Sequence, residues 1–187
     1  MRFLLKRREQ PWKSLVFVFF IFFLVWLLLQ ILAPLMLPPG SVPDLSGSAG
    51  LSDNEQAIQN ISIPWNIVYT AGDRLCHQKL ERSFIVNGNQ MPFCSRCIGI
   101  FAGSTLGIGL MLFFRLPLDE KFLFFILIGI APLAVDGIGQ LFGLWESTNV
   151  IRVLTGLLAG GLTGIAIGAI IDEIKDMLAE KKKEKRS

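Results

Sequence analysis

The chain has 187 residues, 52% of them hydrophobic and 18% charged, with a formal net charge of +3 and a mean hydropathy of +0.54. A soluble domain of this length needs more polar surface, so an ordinary water-soluble fold is excluded. The small positive excess gathers at the two ends of the chain; it implies no nucleic-acid partner and fits basic flanks that hold a membrane topology and touch anionic lipid.

Residues 1–13 form a basic segment with Arg2, Lys6, Arg7, Arg8 and Lys13. Residues 14–37 follow as a first membrane helix, most apolar at 14–33. A helix needs roughly 20 apolar residues to cross a bilayer, and this run exceeds the about 7–15 of a signal-peptide core and lacks an A-x-A-like cleavage site. It reads as a retained signal anchor. Residues 38–62, with "LPPGSVPDLSGSAGLSDNEQ", mix Pro, Gly and Ser without periodicity and predict a flexible tether.

Residues 63–96 predict a small cap. Trp65, Val68, Tyr69 and Leu75 recur at helical spacing, as in a helix lying on the membrane surface with its rings at the interface. "SFIVNGNQMPF" holds Asn-Gly between short apolar runs, the local signature of a hairpin with arms at 84–86 and 90–93. Residues 97–171 carry three more spans, at 97–114, 122–144 and 150–171, and 172–187 form a basic tail. Gly99, Gly103 and Gly107, and Gly156, Gly160, Gly164 and Gly168, stack on one helix face each, a device for close packing. Lys and Arg flank the first and last spans and the 115–121 connection, which predicts both termini in the cytoplasm and the cap outside the plasma membrane. The fold class expected is an all-α integral membrane protein with four transmembrane helices and a small extracytoplasmic helix/hairpin cap.

Every cysteine and the only histidine fall within "CHQKLERSFIVNGNQMPFCSRC". Cys94-Ser95-Arg96-Cys97-Ile98-Gly99 has the C-x-x-C-x-G shape of a zinc knuckle, whose spacing lets both sulfurs reach one tetrahedral ion. Cys76 and His77 would complete a Cys3His set, but neighbouring residues on a helix point about 100° apart, so both could bind only across an unwound turn. Cys94, Cys97 and His77 with a fourth position left to water or Asp136 is the easier geometry, and the open pattern of a catalytic zinc. Thiols on the oxidising side of a membrane could instead cycle as a Cys94–Cys97 pair, bond to Cys76, or serve as small buried side chains. Ile98 after the second cysteine speaks against c-type haem, and no phosphate-cradling glycine loop or nucleophile elbow is present.

Asp136 lies in the third span, about 12 Å below the outer end of its run, where an unpaired charge is costly and function is the default hypothesis. Gln140 is one turn above it, and Arg152 at similar depth predicts an Asp136–Arg152 pair, either structural or acting as general base and anion clamp. Gln78, Arg82, Gln90, Arg96 and Asn149 are the further polar groups expected beside the sulfurs at one pocket mouth.

The motifs "GDRLCHQ", "ERSF", "GNQMPFCSRCIGIFAG", "PLAVDGIGQ" and "ESTNVIRVLTG" resemble those of a family of small prokaryotic multi-pass membrane proteins known only as a domain of unknown function. The resemblance implies a membrane location and this set of residues, and supplies no reaction. The residues themselves point to an integral membrane protein with a Cys/His metal site, zinc among the candidates, at the outer mouth of a polar intramembrane pocket. A metal there would activate water or polarise a lipid-linked or small polar substrate. A thiol–disulfide oxidoreductase built on Cys94 and Cys97, and a proton- or ion-coupled transporter component centred on Asp136, are the alternatives. The oligomeric state is not legible.

Overall fold

The computed structural model describes residues 6–8, 10, 14–45 and 50–185; Arg2, Lys13, Arg186 and tether residues 46–49 lie outside the described residues. The chain runs β1 (Lys6–Arg7), α1 (Leu15–Met36), α2 (Glu55–Ile58), α3 (Trp65–Leu75), a 3-10 turn (Leu80–Arg82), β2 (Ile85–Val86), β3 (Asn89–Gln90), α4 (Ser95–Phe113), β4 (Phe114–Arg115), α5 (Glu120–Leu141) and α6 (Asn149–Glu184). α1, α4, α5 and α6 are long and apolar enough to cross a membrane. The chain is an all-α membrane protein, as its composition requires.

α6 does not stop where the apolar run stops. Its 36 residues make about 54 Å of helix against a hydrocarbon core of about 30 Å, so the expected tail is largely a projecting helical end. The glycine stripes set the closest pairing in the bundle. A Cβ on Gly103 would lie 2.1 Å from the Leu157 carbonyl oxygen, and one on Gly160 2.1 Å from that of Ile100, so the α4 and α6 backbones are in direct contact. α1 packs along α4, with Trp26 edge-on to Phe93 and Phe101. α5 leans on α6, with Leu162 pressed onto Gly129, and hardly touches α4.

The segment expected to be a tether is instead built into the cap. Val42 and Leu45 are buried, and their amides donate to the side chains of Asn89 (2.9 Å) and Gln90 (2.7 Å). The reason is that the hairpin presents buried acceptors that an extended strand of chain can satisfy. That hairpin is shorter than expected, two residues per arm, because Pro92 has no N–H to continue the ladder. Its turn uses Asn87 (φ 55°) and Gly88 (φ 71°), as Asn-Gly requires. The Asn87 and Asn89 amides donate to the carbonyls of Leu37 (3.1 Å), Pro34 (2.9 Å) and Pro38 (3.0 Å), so the hairpin caps the end of α1.

α3 is amphipathic, but its buried face is Val68, Tyr69, Gly72 and Asp73, turned onto the cap core, while Leu75 is exposed. Tyr69 is therefore no interfacial anchor. Its hydroxyl donates to the Gln90 carbonyl at 2.8 Å. At the opposite end of the bundle β1 pairs antiparallel with β4. There Arg8 meets Asp172 at 2.6 Å, and Arg115 meets Asp176 at 2.6 Å and Asp172 at 3.4 Å.

Candidate metal centre and the adjoining polar cluster

The cap and α4 bring Cys76, Cys94 and Cys97 together. Cys76 closes α3 in extended conformation, and Gly72 one turn earlier lets α3 approach the Pro92 carbonyl, which a Cβ would meet at 1.9 Å. Cys94 is the N-cap of α4 and Cys97 lies in its first turn, so the C-x-x-C spacing points both thiols to the α3 side. The sulfurs are 3.5 Å apart for Cys94–Cys97 and 3.8 Å for Cys97–Cys76, and all three lie within 4.8 Å of one another as free thiols. Four thiolates around a zinc at about 2.3 Å stand about 3.8 Å from each other, so this spacing fits one tetrahedral ion.

Backbone amides point at the same sulfurs. The Cys94 N–H donates to the Cys76 sulfur at 3.3 Å, the Gln78 N–H also reaches Cys76, and the Arg96 and Cys97 N–H groups at the start of α4 reach Cys94. Such bonds favour thiolates. The neighbouring thiols of Cys76 and Cys97 hold the Cys94 thiol down to about 2, and Cys76 is pushed up, first by its bond to Cys94 and then by burial. With protons alone, the crowding of the three sulfurs works against ionising all of them. A divalent cation at the centre of the cluster would let all three ionise.

His77 is exposed and stands outside this group. The chain is extended at Cys76, so consecutive side chains turn to opposite sides and the adjacency foreseen as a difficulty separates the two. Gln78 and Gln90 are not pocket-lining groups. Both are fully buried, Gln78 donating to the Pro92 carbonyl at 2.8 Å and Gln90 to the Gln78 carbonyl at 2.7 Å, and they hold the loop that carries Cys76.

A second cluster sits on the other side of the first turn of α4. Asp136 pairs with Arg96, not with Arg152. Arg96 wins because it projects from the start of α4 toward α5, whereas Arg152 on α6 is taken up by Gln140 Oε1 (3.0 Å), Asn149 Oδ1 (3.3 Å) and the Glu81 carbonyl (3.4 Å). Gln140 links the two, donating to Asp136 at 2.9 Å, and Ser95 joins Asn149 at 2.8 Å. α5 ends at Leu141, so Asp136 is five residues from the helix end, about 8 Å and shallower than expected. Trp145, which the sequence did not single out, directs its indole N–H at Asp136 from 3.5 Å while its ring covers Gly139. Its only advance signal was Gly143, whose φ of 68° folds the chain back after α5. The single mouth foreseen for all these groups is thus two neighbouring sites sharing one turn of helix.

An uncharacterised protein of Methanocaldococcus jannaschii is 39% identical over 95 residues, which cover 50% of this chain and 61% of that protein. One from Methanothermobacter thermautotrophicus is 37% identical over 93 residues, covering 50% of this chain and 82% of that protein. The chain thus spans less than two thirds of the first relative's length. No solved structure matches it. The stretch from 76 to 171, over half of the sequence and inclusive of both clusters, matches the family described as "Predicted membrane protein (DUF2085)", and the chain belongs to that family.

Proposed function

We propose that the protein is a membrane-embedded metal-binding protein whose Cys76, Cys94 and Cys97 hold one divalent ion, zinc being the best fit, at the cap-side end of the bundle. The observation that carries this reading is the sulfur triangle, with edges of 3.5 and 3.8 Å. The amides directed at the sulfurs support it, because they favour thiolates, the form a metal needs. Three thiolates leave a fourth tetrahedral position for water, a substrate atom or a turned His77. With basic segments at both ends of an even number of spans, the reading places the termini in the cytoplasm and the metal outside.

Asp136 enters this reading as the anchor of the polar cluster, since its carboxylate is already occupied by Arg96 and Gln140. A second reading, a redox dithiol, is favoured by the 3.5 Å Cys94–Cys97 separation alone. It requires the sulfurs to close to about 2.05 Å.

Metal analysis of the purified full-length protein separates the two. The metal reading expects about one zinc per chain, sulfur scattering at the metal absorption edge, and loss of both in Cys94→Ser. A metal-free protein with a reducible Cys94–Cys97 bond would overturn it in favour of redox chemistry. His77→Ala retains the zinc if three thiolates suffice.

A further inference from the structure

Three arginines gather at the cap end of α4 and α6. The charges of Arg82 and Arg96 both act on Arg152. Against these three stand Asp136 and Cys94, whose charges also act on Arg152, and Glu81, which is 64% exposed and meets Arg82 only at 3.8 Å. Arg152 is 4% exposed, and its Nε, like those of Arg82 and Arg96, is buried with no hydrogen-bond acceptor. An unanswered buried donor is costly; three in one cluster call for an acceptor that the described residues do not supply. α4 and α6 both begin here, and neither has an acidic residue in its first turn, so the positive ends of two helices add to the same field.

The place is also open sideways. α5 leans on α6 and hardly touches α4, and Arg96 crosses the gap to Asp136 over Gly137, where a Cβ would find Arg96 Nη1 as its nearest neighbour at 4.0 Å. Leu141, Phe142 and Leu144 beside the gap are uncovered, as residues against lipid are. We propose that Arg82, Arg96 and Arg152 bind a phosphate group at the cap-side mouth of the gap between α4 and α5. Guanidinium groups match phosphate oxygens, and the three unanswered Nε donors are met by one such anion. A lateral entrance favours a phosphate carried on an acyl chain, and free phosphate is the other source of the same chemistry. The site shares no side chain with the metal reading, because the thiols face the opposite side of α4.

The test uses full-length protein in detergent micelles, titrated with dioleoyl phosphatidic acid or dioleoylglycerol under native mass spectrometry, and with inorganic phosphate by calorimetry. Wild type is expected to retain phosphatidic acid over dioleoylglycerol, with retention weakened at least about ten-fold in Arg82→Gln and Arg152→Gln, and unchanged in Lys182→Gln at the other end. Inorganic phosphate binding lost in the same two variants, without preference for phosphatidic acid, supports the site with a soluble source. Equal retention of the two lipids with no phosphate binding, or binding indifferent to both arginine changes, overturns the proposal. Arg82 is half-exposed, so Arg82→Gln decides the matter even if Arg152→Gln fails to fold. Zinc content, measured on the same samples, reports on the thiols separately.

Discussion

Tyr69 is the only tyrosine of the chain, fully buried, with its hydroxyl committed to the Gln90 carbonyl. Burial raises its pKa above the ordinary value of 10.0. Above pH 10 the unfolded chain therefore loses a proton that the folded chain keeps, and stability falls as pH rises from there. Absorbance at 295 nm is expected to show no phenolate until the cap opens, and then a single cooperative step. A smooth titration centred near pH 10 would place the ring in water. Composition and spacing made the ring visible but put it at the lipid interface. Its partner lies 21 residues away, and nothing in the helical spacing of α3 names it. The same distinction separates the cysteines from the acid. C-x-x-C is a local geometry and could be read directly. Asp136 was recognisable as costly, but its partner depended on where α4 begins, and the two extra residues before Cys97 are what bring Arg96 onto the helix.

At the scale of elements, the glycine faces are the most legible feature, because four-residue spacing on an apolar helix has few other uses. Gly103→Ala places a methyl 2.1 Å from the Leu157 carbonyl oxygen, and the α4–α6 pair must separate to admit it. A loss of about 1–3 kcal/mol is expected in detergent unfolding. Gly137→Ala, whose nearest neighbour is 4.0 Å away, is expected to cost far less. Equal effects of the two would mean that helix propensity and not contact controls this pairing. The tether was the element read least well. Its Pro, Gly and Ser content predicts mobility, yet Val42 and Leu45 are core residues. Composition reports what a segment prefers alone, whereas here the free backbone acceptors of α1 and the buried amides of the hairpin decide its place.

On the scale of the whole molecule, the two ends are held differently, the cap by buried amides and a thiol cluster beside the single Arg96–Asp136 pair, the other end by a network in which Asp172 and Asp176 answer Arg8 and Arg115. Asp172 is 4% exposed and answers Arg8 and Arg115 together. Asp172→Asn leaves the nearly buried Arg8 without its counter-charge, and a loss of up to about 3–5 kcal/mol is expected, with faster tryptic cleavage at that end. Asp176→Asn, with its carboxylate 57% exposed, should change either measure little. If both variants behave alike, the cluster is only a solvated surface network.

The pairing of β1 with β4 has a consequence for how the chain is made. The strand at Lys6–Arg7 emerges from the ribosome long before its partner Phe114–Arg115, and Arg8 waits longer still, until Asp172 has been synthesised. During that interval the amino-terminal arm has nowhere to dock. Its docking marks the moment when α6 has been made, so residues translated before all four spans find their place only after them.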